Sequence, residues 1–336
     1  MIVGKENMNR EEENRNQIIT VHEFLESYRR YLDEDPALSG KTPATYSYLI
    51  EKHLIHDLGE YQLSELDSDI LNSYLKQKLS DGRLDNSGGL SPTTVSELRT
   101  ILNSAFKYAK CNHYCVQDMN DLVHISFHQP EISIFNREET GRMVRYLTQN
   151  LTPYNSGVLL ALVSGIRIGE LCALTWGDLN LDEGVLQITK SLGRLPNPNA
   201  DTDGHRTHLV IAPPKTRNSI RSIPLPPEII DLLRKQQQPS DVYLLTGRRK
   251  CMEPSSCSKR FRNLLKKLDI PARNFHTLRH TFATACIRDG ADPKTVSMIL
   301  GHASVNITML MYVHPSLEDK RRVMEQVYTH TYIPPS

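Results

Sequence analysis

A chain of 336 residues exceeds what one hydrophobic core usually organises, and its net charge of +1 conceals a split: residues 1–130 carry 13 Lys and Arg against 20 Asp and Glu, the remainder 27 against 19. Two domains are therefore expected, the second being the natural partner of a polyanion. Six cysteines at spacings that match neither a zinc pair nor a disulfide ladder, a polar amino terminus and the lack of any apolar run of bilayer length argue against a secreted scaffold or a membrane span, and for reduced thiols in a cytoplasmic protein.

In chain order, residues 1–16 form a polar tail, and apolar residues then recur at helical spacing in "ITVHEFLESYRRYL", "PATYSYLIEKHLIHDL", "SDILNSYLKQKL" and "SPTTVSELRTILNSAFKYA". Thr42 before Pro43 and Ser91 before Pro92 have the pattern of an N-cap followed by proline at the first helical position, and "DGRLDNSGG" is a loop. Residues 17–118 thus read as a small helical bundle, and 119–134 as a proline-interrupted linker.

A second domain, 135–315, opens with the helix "REETGRMVRYLTQ" and the run "SGVLLALVSGIRIGELCAL", apolar nearly all round, with Arg167 expected inside that helix. The period then changes: "GVLQITKSL", "THLVIAPPK" and "SIRSIPLP" predict a small antiparallel sheet, interrupted by the loop "GRLPNPNADTDGHR". Helices return with "PEIIDLLRKQ", "SSCSKRFRNLLKKL" and "FHTLRHTFATACIRDGADPKTVSMILGHASVNITMLMYVH". Residues 316–336 are a short carboxy-terminal helix or tail with an apolar stripe of Leu317, Met324, Val327 and Tyr328. The fold class is mainly α, helices surrounding one small sheet in the second domain.

The last helical stretch gathers arginine, histidine and tyrosine with no carboxylate beside its histidines. Taken singly, each of these residues has an ordinary structural reading: Arg167 with Glu170 an ion pair, His276 and His302 hydrogen-bonded core histidines, Tyr312 a half-buried aromatic. Their order and spacing say more. Arg167 in "GIRIGEL", Lys215 in "PPKTRNSIRSIPL", His276 and Arg279 in "HTLRHTFAT", His302 in "LGHASVNIT" and Tyr312 in "YVH" resemble the tyrosine recombinase (phage integrase) family along nearly the whole chain.

The resemblance implies a SAM-like helical core-binding domain followed by a DNA breaking-rejoining catalytic domain. It implies a DNA strand transferase that forms a 3′-phosphotyrosyl intermediate at Tyr312. Lys215 would protonate the 5′ oxygen, His276 would assist proton transfer, and His302 would donate to a nonbridging oxygen. Glu170 would support the helices. The chemistry agrees, since displacement at a phosphodiester needs a nucleophile, a proton for the leaving oxygen and fixed cations on the nonbridging oxygens. Arginine suits the clamp because its planar fork pairs two oxygens and stays charged, which points to Arg167 and Arg279. A tyrosine with a pKa of about 10 is roughly 0.1% ionised at neutral pH, and the cationic cluster is expected to activate it. No metal, ATP or other cofactor is implied.

Ten Lys and Arg against two acids in residues 248–279 read either as a solvated face or, favoured by the mix of basic and apolar positions at helical spacing, as a helix bearing Lys259, Arg260 and Arg262 on the duplex backbone. In the first domain Lys41, Thr45 and Tyr46, with Ser91 and Thr93 at a helix start, are candidate phosphate contacts. The long loop of residues 193–208 leaves Lys190 as an alternative to Lys215, and only about 16 residues precede the helical bundle, which speaks against an arm-site-binding domain. The expected partners are double-stranded DNA, a homotetramer on synapsed DNA that is monomeric when free, with the carboxy-terminal helix docking on a neighbour, and accessory bending or directionality factors. The expected role is integration and excision of a phage or conjugative element. A chromosome-dimer resolvase of the same family and a non-catalytic DNA-binding protein of the same fold are the alternatives.

Overall fold

The computed structural model describes residues 19–34, 41–85, 87–114, 116, 133–196, 207–214, 217–313, and 317, 321, 324, 325 and 328. Expectations for the tail 1–16, nearly all of the linker, Lys215 and His314 therefore lie outside the described residues. The chain divides into two compact units, Met1–Pro130 with Leu195–Thr207, and Glu131–Arg194 with His208–Ser336.

The first unit holds α1 (Val21–Glu34), α2 (Lys41–Leu49), α3 (Ser68–Ser80) and α4 (Pro92–Cys111). Beyond Leu49 the second helix continues as a wider π-type turn, Ile50–Ile55, and ends at His56–Leu58. Every third or fourth residue of α1 and α4 is buried, Phe24, Leu25, Tyr28 and Leu32 against Leu98, Ile101, Leu102, Ala105 and Phe106, as the helical period requires. Ser91 caps α4, its hydroxyl accepting from the Thr94 N–H with Pro92 at the first helical position. The other predicted cap is corrected: α2 already begins at Lys41, so Thr42 lies within the helix rather than before it.

The second unit opens with α5 (Arg137–Gln149), where Asn136 and Glu139 form a reciprocal capping box. The fully apolar run becomes α6 (Pro153–Ser164), buried along nearly its whole length. It does not continue through Arg167 as expected. Gly165 takes the left-handed conformation (φ 64°) and ends α6, the backbone turns, and a new helix α7 (Ile168–Ala173) starts with Arg167 as its N-cap. A Cβ at position 165 would lie 2.6 Å from a Phe282 ring carbon and 2.8 Å from a Leu300 methyl, so only glycine lets α6 turn against those side chains.

Strands β1 (Leu179–Asn180), β2 (Val185–Ile188) and β5 (Arg221–Pro224) form an antiparallel sheet in the order β1-β2-β5, with Leu186 opposite Ile223. A separate two-stranded sheet joins β3 (Ser191–Pro196) and β4 (Thr207–Ala212). Residues 193–196, expected in a loop, continue β3. Helices α8 (Pro227–Arg234), α9 (Pro254–Lys267), α10 (His276–Arg288), α11 (Pro293–Leu300) and α12 (Val305–Tyr312) complete the unit. One core runs from α5 and α6 through the three-stranded sheet to Phe261 and Phe275, and a smaller cluster of Ala283, Val296, Leu300 and Tyr312 joins α10, α11 and α12. Among the described residues no helix is long and apolar enough to cross a membrane, and the five cysteines described are free thiols.

Candidate active site

The last turn of a helix leaves carbonyls without intrahelical partners at the negative end of the helix dipole. In α11 three arginines occupy them. Arg221 donates through Nε to the Ile299 carbonyl (2.6 Å), Arg279 through Nη1 to Leu300 (2.8 Å), and Arg167 through Nη2 to Gly301 (2.9 Å). Gly301, at φ 67°, ends the helix, and His302 follows. The sequence "LGH" therefore brings guanidinium groups from α7, β5 and α10 onto one turn.

Glu170 makes this crowding tolerable. Its carboxylate accepts from Arg167 Nη1 (2.9 Å) and the Arg167 backbone N–H (2.9 Å) on one side, and from Arg221 Nη1 (3.0 Å) and Nη2 (2.8 Å) on the other. Burial pushes the Glu170 carboxyl up, but the Arg221 hydrogen bonds and charge, followed by Arg167, outweigh it and hold it below the ordinary value. The expected contact with Arg167 is present as an N-cap rather than along a helix face, and Glu170 has a second partner that sequence reasoning missed. The signal for Arg221 was available: in "SIRSIPLP" it alternates onto the face of Ile223, the buried side of β5.

Arg279 is the most enclosed of the described arginines, at 2% exposure. Its Nη1 donates to the carbonyls of Gly165 (3.0 Å) and Leu300, while Nη2 is buried with no hydrogen-bond partner among the described residues. Burial, with Arg167 next, pushes its pKa down to about 9, which leaves it charged at neutral pH. A buried cationic N–H edge without an acceptor is costly unless an anion completes it.

The histidines are neutral by the same physics. Burial first, with neighbouring cations, lowers His276 and His302 to about 4. His302 is buried, and its Nδ1 lies 2.8 Å from the Thr308 hydroxyl, so Nε2 remains for another partner. Its ring stacks nearly parallel to that of Tyr312, centroids 6.4 Å apart. Tyr312 ends α12 at 6% exposure. Burial raises its pKa and Arg279 offsets this only in part, so the expected activation by the cationic cluster does not materialise in the free protein. The Tyr312 hydroxyl is instead 2.7 Å from Nδ1 of His280, a residue outside the expected site set.

Of the two lysines, Lys215 lies outside the described residues, and Lys190 is engaged elsewhere, bonded to Asp178 (2.8 Å) and the Thr175 hydroxyl (3.2 Å). Lys259, Arg260 and Arg262 lie exposed on α9, whose opposite face buries Cys257, Phe261, Leu264 and Leu265. The Arg260 guanidinium covers the Tyr154 ring at 4.1 Å. In the first unit Thr45 and Tyr46 are half-buried, Tyr46 against the core, and Ser91 and Thr93 are exposed at the start of α4. Lys41 begins α2, and its side chain lies outside the described set. Among the described residues no group of three or more His, Cys, Asp or Glu is placed to hold a metal ion.

The sequence profile of the phage integrase family matches residues 135–318. A tyrosine recombinase XerC-like protein of Caldanaerobacter subterraneus subsp. tengcongensis is 28% identical over 262 residues, 70% of this chain and 66% of that protein's length. Among solved structures, the Tn1549 transposon integrase in complex with transposon right end DNA superposes with a TM-score of 0.74 at 19% identity, covering 92% of this chain and 99% of that one. A lambda integrase tetramer bound to a Holliday junction gives 0.63 at 16% identity, covering 90% and 80%.

Proposed function

The chain belongs to the phage integrase family of tyrosine recombinases, site-specific DNA strand-transfer enzymes, and on that premise we propose that it cuts and rejoins DNA through a 3′-phosphotyrosyl link at Tyr312, without metal or ATP. The observation that carries this reading is Nη2 of Arg279, buried and without a hydrogen-bond partner among the described residues, in a cluster with Arg167, neutral imidazoles and a tyrosine hydroxyl. A phosphodiester supplies what that cluster lacks: nonbridging oxygens for the guanidinium edge and an electrophile for Tyr312. Arg167 and Arg279 clamp the phosphate, His302 donates from Nε2, and His276 assists proton transfer. Lys215 is the general acid, a reading supported by the engagement of Lys190 with Asp178.

Residues 17–118 form the core-binding domain and 135–315 the catalytic domain. Lys259, Arg260 and Arg262 of α9 contact backbone phosphates of double-stranded DNA, joined by Lys41, Thr45, Tyr46, Ser91 and Thr93. Four protomers assemble on synapsed DNA, as the lambda integrase tetramer does on its Holliday junction, with residues 316–336 docking on a neighbouring subunit. Leu317, Met324 and Tyr328, all exposed, supply the apolar stripe for that docking. The protein acts in the cytoplasm as the integrase of a phage or conjugative element, supported by the likeness to a transposon integrase. Resolution of chromosome dimers is the second reading, favoured by the XerC-like relative.

The test is capture of a covalent adduct from a randomised pool of nicked suicide duplexes in EDTA, the captured sequence then supplying a defined substrate. Tyr312→Phe should bind that substrate as tightly as the wild type and form no adduct. Adduct formation by the Phe variant, or its loss from the wild type in EDTA, overturns the mechanism.

A further inference from the structure

A buried phenol whose pKa is raised cannot attack a phosphodiester efficiently while it keeps its proton, and the guanidinium groups of the site have no lone pair to take it. The His280 imidazole does. Its Nδ1 sits 2.7 Å from the Tyr312 oxygen, and the two rings are 5.8 Å apart, tilted by 49°. Resting on the reading of Tyr312 as nucleophile, we propose that His280 is the general base that removes the Tyr312 proton during DNA cleavage and returns it during rejoining.

The placement follows from the helices. His280 is one residue past Arg279 on α10, so the segment that carries the Arg279 guanidinium to the Gly165 and Leu300 carbonyls also projects an imidazole toward the end of α12. Among the described residues, the charged and titratable groups around it are His276, edge-on at 4.7 Å, and Arg279 on its own helix, Tyr312 on α12, and His302 stacked behind Tyr312. None is an acid that would hold His280 protonated. Burial, with Arg279 second, lowers the His280 pKa, so the ring is neutral at pH 7, and the tautomer that carries its proton on Nε2, the one the proposal requires, leaves Nδ1 to accept from the phenol.

As the Tyr312 oxygen forms its bond to phosphorus, the phenolic proton passes to His280 Nδ1. The bond from phosphorus to the 5′ oxygen breaks, and that oxygen takes a proton from the general acid. In rejoining, the 5′ hydroxyl attacks the phosphotyrosyl phosphorus, returns a proton to the general acid, and the departing phenolate recovers its own from the His280 imidazolium. Charge and protons balance in both directions, and no co-reactant is consumed.

The distinguishing variants are His280→Asn, whose amide oxygen can keep the hydrogen bond but cannot take a proton, and His280→Ala. With the captured suicide substrate, both should bind DNA normally and lose about a hundredfold or more in single-turnover cleavage. Imidazole added to the Ala variant should restore rate in proportion to its neutral form. In the wild type the rate should fall as pH drops through the depressed His280 pKa, a limb absent from His280→Asn. A substrate with a 5′-thio leaving group should rescue neither variant, because the missing group is not the general acid.

Cleavage by His280→Asn within about threefold of wild type, with its acid limb intact, would show that His280 only positions the tyrosine. Nitrogen-15 resonances of the free protein give a check without DNA: Nδ1 of His280 should be unprotonated at pH 7, and a protonated Nδ1 overturns the proposal. Failure of the tyrosine reading is separate, since it would appear as an adduct in Tyr312→Phe whatever the His280 variants do.

Discussion

Replacing Glu170 by Gln removes the only carboxylate that the described structure places among Arg167, Arg221 and Arg279 while keeping its shape. The Arg221 and Glu170 side chains are 5% and 2% exposed, so Arg221 would be left as a buried charge without a counter-ion, at a cost of about 3–5 kcal/mol. Arg167, with a side chain 36% exposed, is screened by water and adds little to that figure. For a unit of this size the cost corresponds to a melting-temperature fall of roughly 6–20 °C in the catalytic unit's calorimetric transition. The pH dependence has a definite sign. Because the folded Glu170 pKa is depressed, its contribution is present above the unfolded carboxylate range and is lost as pH falls from there through the lowered folded value, so Glu170→Gln should show a shallower acid limb. Glu170→Gln combined with Arg221→Met should be less destabilised than Glu170→Gln alone, since the second change removes the orphaned charge. A single variant that melts within about 2 °C of wild type, or a double variant no better than the single, would refute the counter-ion argument.

The two lysines separate by kinetics: Lys215→Ala should slow cleavage of a natural 5′-oxygen substrate strongly and be rescued by a 5′-thio leaving group, whereas Lys190→Ala should be mild, its effect confined to the contact with Asp178. Reversed behaviour would move the general acid to Lys190. Deleting residues 317–336 should leave single-site DNA binding nearly intact but reduce synapsis, and a truncated protein that still forms four-subunit complexes at wild-type yield in a native gel would show that the tail does not link protomers.

The helices were legible because their signals are local. Apolar spacing in α1, α3 and α4, Ser91–Pro92 at the start of α4 and the clean run of α5 each settle within a few residues. What sequence reasoning misplaced depends on contacts distant in the chain. Nothing within "SGVLLALVSGIRIGEL" says that α6 must stop at Gly165; the reason lies in Phe282 and Leu300, more than a hundred residues on, which leave room for no other side chain at the turn. The alternation of Arg221 with Ile223 signalled its burial but not its partners, since Glu170 and Ile299 come from other elements. His280 stood in the quoted motif, yet only the packing of α12 against α10 brings Tyr312 to its Nδ1 rather than another ring or carbonyl.

Burial acts on the acid, the bases and the cations of this site in different ways, and the combination restrains the free enzyme. It raises the Tyr312 pKa, lowers those of His276, His280 and His302, and leaves Arg279 charged but incompletely paired. A neutral imidazole with a depressed pKa facing a phenol with a raised one is a poor proton acceptor, so the tyrosine stays protonated in the absence of DNA. A bound phosphodiester would alter the balance through its charge: burial is the main cause that depresses the histidines, and an anion beside Arg279 would offset the cationic part that adds to it, lifting their proton affinity. His280 then becomes the stronger base at the moment an electrophile is present. On the proposed mechanism the histidines and Arg279 would therefore do more than hold a phosphate: they would make the readiness of Tyr312 depend on its arrival.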